Sequence, residues 1–178
     1  RAALQKIRTE IWQMREEKDI RQVLEAIRKS LDTVDIAFSC LGINVVDRLL
    51  SPPTVHYYTY AVHDTKPRWV EFDSNKDDGA IIDIQAQKTL VYRPDLSAED
   101  EYQERAVLEE AYGYPVLSVI DIPFSDGTLA LNHSETHAFT TRDIEFLQAL
   151  TEALSEGFQR TRDLRTLAER NQALEQEI

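Results

Sequence analysis

A carboxylate stands inside the apolar stretch LSVIDIPF, at Asp121. Left unpaired in a protein interior it would cost on the order of several kcal/mol, so it must reach solvent, meet a partner such as a nearby arginine, or serve a pocket. Strand alternation puts it on the face of Leu117 and Val119, opposite Ser118, Ile120 and Ile122. A second group lies in TVHYYTYAV, where Tyr58 and Tyr60 share one strand face with His56 and Val62, and Tyr57 and Thr59 share the other. Rings with polar tips suit the wall of a pocket for a flat ligand, and they suit packing beneath helices equally well. Arg93 and Asp95 in YRPDL, with Tyr112 and Tyr114 at the end of the next helical segment, could reach a pocket mouth.

Other chemistries find little support. His133 and His137 have the i, i+4 spacing that binds metal on a helix, but NHSETHAF reads as a loop and no carboxylate–histidine set accompanies it. No metal site is expected. Cys40 is the single cysteine, so no disulfide forms within the chain, and a reducing compartment such as the cytoplasm is the natural setting. No nucleophile elbow, phosphate-cradling glycine loop or zinc-protease helix appears, and the chain has only five glycines. A net charge of −12 argues against a nucleic-acid or anionic-membrane partner. No apolar run approaches the roughly 18 residues of a membrane span.

The elements that must position these residues follow from periodicity. Leu4, Ile7, Ile11 and Met14 form a coiled-coil-type stripe on a first helix, which the polar run Arg15 to Lys18 breaks. Asp19, three residues before Gln22, reads as a capping box for a second helix carrying Ile20, Leu24, Ile27 and Leu31. VDIAFSCLGINVVD and TVHYYTYAV read as neighbouring antiparallel strands, RWVEF as a third, and DSNKDDG as a polar turn. A short helix over 80–88 and a strand at TLVY follow. SAEDEYQERAVLEEAYG reads as a helix from an N-cap at Ser97 to Gly113. YPVLSVIDIPF and TLALN make a hairpin about SDG. Thr140 or Thr141 then opens a long helix with an apolar face of Ile144, Leu147, Leu150, Leu154 and Phe158. With 42% apolar and 29% charged residues, this is an α+β chain with a real core.

VLSVIDIPFSDGTLALNHSETHAFTTRDIEFLQALTEALSEGF resembles the C-terminal half of a GAF domain, through Ser118, Pro123, Gly127, Leu129, Leu131, Phe139, Thr140, Asp143 and Leu147. The rival plan is PAS-like; the long terminal helices and the F-T-x-x-D junction favour GAF. The resemblance implies a PAS-related central antiparallel sheet of five to six strands with helices on both faces. It implies a regulatory pocket for a small molecule on one of those faces and long N- and C-terminal helices that dimerise as a bundle or coiled coil. Expected units are a linker helix over 1–18, the GAF domain over 19–160 and a signalling helix over 161–178. Ligand-binding candidates are Tyr58, Tyr60, Arg93, Asp95, Tyr112, Ser118, Asp121 and Asn132. Of the cyclic-nucleotide pattern Asn132, Phe139 and Asp143 match, whereas His133 and Ile144 stand where Lys and Glu are wanted. That ligand therefore gains little, and no cofactor is assigned. GAF-fold methionine sulfoxide reductases need several cysteines, and bilin-attaching members need one in a pocket helix, so neither is expected and the chain is expected not to be an enzyme.

The last residues carry their own pattern. Leu164, Leu167, Asn171, Leu174 and Ile178 fall at a, d, a, d and a of two heptads. A polar Asn at one a position fixes register and favours two parallel strands, and Arg170 at g would face Glu175 at the following e of a partner. A surface helix with an accidental stripe is the plain alternative. The expectation is a cytoplasmic homodimeric sensor module that binds a small molecule non-covalently and relays its state along this helix to a C-terminal output domain such as a kinase or cyclase. The competing expectation is a ligand-free GAF domain acting as a dimerisation spacer.

Overall fold

The computed structural model describes residues 2–16, 19–63, 66–73 and 79–177. The elements in chain order are α1 (Ala2–Gln13), α2 (Ile20–Thr33), β1 (Cys40–Asp47), β2 (Thr54–His63), β3 (Lys66–Asp73), α3 (Gly79–Gln87), β4 (Val91–Arg93), α4 (Arg105–Tyr112), β5 (Ser118–Phe124), β6 (Gly127–His133) and α5 (Thr141–Glu177). The six strands form one antiparallel sheet in the order β3-β2-β1-β6-β5-β4. Asp73 ends β3, and the expected polar turn after it, 74–78, lies outside the described residues.

α1, α2 and the first half of α5 pack on the sheet through their apolar stripes. α2 buries Ile20, Val23, Leu24, Ile27 and Leu31, a helix-period face laid on β1 and β2. Ile7 and Ile11 of α1 and the face of α5 from Leu147 to Phe158 complete one core with Leu41, Ile43, Ile120, Ile122, Leu129 and Leu131 of the sheet. α3 lies against β1, β5 and β6 on the opposite side.

Three local expectations are corrected. Asp19 does not cap α2 with its side chain; its Oδ2 accepts from the N–H groups of Arg15 and Glu16 and closes the turn between α1 and α2. β1 begins at Cys40, so the strand expected from Val34 is a connection as far as Ser39. α4 begins at Arg105 rather than at Ser97, because Asp95 Oδ1 takes Ser97 into a local turn and Asp100 accepts from the N–H groups of Glu104 and Arg105. Gly113 ends α4 in the left-handed conformation, φ 77°, as a C-terminal glycine can. Thr140 and Asp143 open α5 with a reciprocal capping pair, Asp143 N–H to Thr140 Oγ1 at 3.2 Å and Thr140 N–H to Asp143 Oδ2 at 2.9 Å.

α1 lies tight on α5 at Gly157, where a Cβ would stand 2.1 Å from Ile11 Cγ2. Ile11 is β-branched and fully packed, so it has nowhere to move. Gly157→Val is expected to destabilise the protein by about 2 kcal/mol, a Tm drop of roughly 4–8 °C by differential scanning calorimetry. An unchanged Tm would show that α1 is not seated there.

Candidate ligand pocket

The sheet has two unlike faces, and register decides which residues share each. Asp121 pairs with Ala130, Val119 with Asn132, Asn132 with Cys40, Ala130 with Gly42, and Thr128 with Asn44; across β2, Gly42 meets Thr59 and Asn44 meets Tyr57. Directly opposed residues point to one side, so this face is polar and small-residued while the other is the aliphatic core. Gly42, Ala130 and Thr59 leave the floor low. Over it stand Ala80 and Ile81 of α3, Tyr102 and Glu104 of the connection, and Val107, Leu108 and Tyr112 of α4, enclosing a cavity of about 340 Å³.

Its polar side is one chain of contacts. Asn44 Nδ2 donates to Thr128 Oγ1 (3.1 Å) and Thr128 Oγ1 to Asp121 Oδ1 (3.3 Å). Arg93 donates from NH2 to Asp121 Oδ2 at 2.6 Å, and from Nε and NH2 to the two Glu104 oxygens at 2.6 and 3.1 Å. Its NH1 holds the Val91 carbonyl, and the guanidinium lies 5.4 Å from the Tyr102 ring centroid. Burial alone would pull the arginine pKa down; Asp121 and Glu104 outweigh it and the pKa rises. Burial pushes the Glu104 pKa up, and Arg93 pulls against it. Burial likewise raises Tyr112, with Cys40 adding to the rise, and pushes the Cys40 thiol up to about 12.

Of the sequence candidates, Asp121, Asn132 and Tyr112 line the cavity, and Arg93 stands behind Asp121 and Glu104. Tyr58 and Tyr60 are corrected to the other face: Tyr58 belongs to the core beneath α2, and Tyr60 lies against Arg28 of α2, 5.4 Å from its ring centroid. Tyr57 and Thr59 take their places in the cavity. Ser118 also faces away, donating to the Glu135 carbonyl at 2.7 Å. Asp95 sits outside as a turn cap, with its pKa lowered by the Ser97 hydroxyl. Tyr114 packs with Leu96, Val116 and Val119 in a satellite cluster. Glu104 was missed, since an acid within an acid-rich run carries no sign of inward pairing. NHSETHAF is corrected in part: Asn132 and His133 close β6, and only SETHAF after them is a loop.

Two outcomes follow. Arg93→Ala leaves Asp121 buried without its cation and is expected to cost about 3–5 kcal/mol in urea unfolding; a loss below about 1 kcal/mol would mean that another group answers the aspartate. Native Cys40 should react with Ellman's reagent at pH 8 about a thousandfold more slowly than an ordinary cysteine, and at the ordinary rate once unfolded. Rapid native labelling would contradict the buried thiol.

No protein-family model matches this sequence, and no curated protein matches it. Solved structures do. The phycocyanobilin-bound GAF domain of a cyanobacterial phytochrome matches with TM-score 0.66 at 15% identity, over 90% of this chain and 93% of that one. The GAF domain of a two-component sensor histidine kinase from Bacillus halodurans matches with TM-score 0.55 at 15% identity, over 84% and 97%. A free methionine-R-sulfoxide reductase from Neisseria meningitidis, solved with its substrate, matches with TM-score 0.62 at 14% identity, over 90% and 89%. The last overturns the expectation that the chain is not an enzyme: a catalyst shares this fold as closely as the sensor domains do. Among the described residues, no helix is long and apolar enough to cross a membrane. The fold, six antiparallel strands between helices on two faces, is that of GAF domains.

Proposed function

We propose that this chain is a sensory module that binds a small molecule non-covalently in the cavity between the sheet and α3/α4 and passes its state along α5. The observation that carries the reading is β5 itself. Val119 and Asp121 line the cavity, while Ile120 and Ile122 of the same strand enter the core shared with α5. A shift of the strand under a ligand is therefore a shift under the helix. The likeness to GAF domains of a phytochrome and of a sensor histidine kinase supports the sensory role.

α5 is suited to carry the state onward. Every residue from 163 to 177 is exposed, so among the described residues none buries these turns. Such a helix is marginal without a partner. Its Leu164, Leu167, Asn171 and Leu174 continue a seam that includes Gly157 and Arg160 one heptad earlier. There the seam is covered from within, Ile11 over Gly157 and the Trp12 ring 4.9 Å from the Arg160 guanidinium carbon. Beyond Arg160 the cover ends, and a second copy in parallel is the occupant that Asn171 and the Arg170–Glu175 charge pattern fit. Ile178, the last position of the pattern, lies outside the described residues. The module then serves a C-terminal output domain such as a kinase or cyclase in the cytoplasm.

Native mass spectrometry of the purified protein, with thermal shift against a metabolite panel that includes cyclic nucleotides, tests the binding half. A bound or inducible ligand lost in Ala130→Leu, which fills the cavity floor, is the expected result; an empty protein with no shift would leave a dimerisation spacer. Sedimentation tests the rest. A dimer at micromolar concentration is expected, with Asn171→Leu raising its stability and loosening its stoichiometry, whereas a monomer throughout would end the relay.

A further inference from the structure

Resting on that ligand-binding reading, we infer that the cavity selects an organic cation, a small molecule carrying a protonated amine beside an apolar body. Charge supplies the first argument. Asp121 is 1% exposed and Glu104 lines the wall beside it, while one guanidinium, Arg93, answers both. One negative charge is left over. Among the described residues, no Lys, Arg or His lines the cavity. Beside a carboxylate as buried as Asp121 that surplus is strongly felt, and a ligand cation removes it.

Hydrogen bonding supplies an independent second argument. Arg93 has committed Nε and NH2 to the two carboxylates and NH1 to a backbone carbonyl, which leaves little of the fork for an anion. Asn132 sits on the same face, 6% exposed, and its Oδ1 is a buried acceptor with no partner among the described residues. A buried acceptor without a donor is costly, and a ligand N–H would meet it. Carboxylates and this amide oxygen together ask for a ligand rich in donors. Tyr57 and Tyr112 also line the wall, and an aromatic ring attracts an ammonium brought over its face, as the Tyr102 ring already does the Arg93 guanidinium. Ile81, Val107 and Leu108 receive the apolar body.

A matched series separates charge from shape: tryptamine, tryptophol and indole-3-acetate present one indole with a cationic, neutral or anionic arm. Isothermal titration of the full chain is expected to rank tryptamine at least about tenfold tighter than tryptophol, with indole-3-acetate weakest. Added salt should narrow the gap. Glu104→Gln, which keeps the side chain's size and an acceptor for Arg93, should bring tryptamine down to the level of tryptophol. Asn132→Leu should weaken tryptamine as well, each variant first checked for an unchanged melting curve. Indole-3-acetate binding as tightly as tryptamine would overturn the cation preference and leave the ligand pocket intact. Equal binding of tryptamine and tryptophol would overturn it too, as would no heat from any of the three. The broader reading falls separately, on an empty native mass spectrum and a panel without a shift.

Discussion

Burying Asp121 in the middle of a sheet commits everything around it to answering one charge. The carboxylate sits between aliphatic neighbours on β5, and a cation must come to it. β4 supplies Arg93, which is why a strand of three residues at the sheet edge matters. The guanidinium then has donors to spare, and Glu104 takes them. Glu104 is the residue immediately before α4, so the ion pair that neutralises the sheet also fastens the cavity wall. Remove the aspartate from the sequence and neither the buried arginine nor the anchored acid has a reason to be there.

That fastening is needed because α4 buries no residue completely. Leu108 and Tyr112 lean on the satellite cluster of Leu96, Tyr114, Val116 and Val119, a far smaller apolar mass than the one beneath α1, α2 and α5. The two faces of the sheet therefore differ in kind. One is close-packed and aliphatic and passes displacement between strand and helix. The other is polar, part-hollow and held by directional contacts, the arrangement suited to admitting a small molecule.

Much of the architecture could be read from the chain alone. The β5–β6 hairpin, the helix stripes, the Gly113 terminus and the Thr140–Asp143 junction each carry a local chemical signal that the fold obeys. The cavity was legible only in part. Alternation along TVHYYTYAV divides its residues correctly into two sets, yet it cannot say which set faces which layer. Tyr58 and Tyr60 went to the core because their register partners, Ile43 and Leu41, lie beneath α2, and that pairing is tertiary. Asn44, Thr128 and Glu104 were silent for the same reason, since each is ordinary in its own segment and acquires a role only across strands 84, 7 and 11 residues away in sequence. Sensor domains and a reductase hold this fold in common, so catalysis is decided by the side chains of the site and not by strand order.

If the charge at Asp121 organises the cavity through Arg93 and Glu104, the wall should loosen when its last link is cut and the core should not notice. Amide hydrogen exchange on the Glu104→Ala protein measures both at once. Exchange across residues 105–112 should rise at least about tenfold while residues 147–158 of α5 keep their protection. An α4 as protected as before would contradict the account, for it would mean that the helix is held by its apolar contacts and the ion pair merely accompanies them.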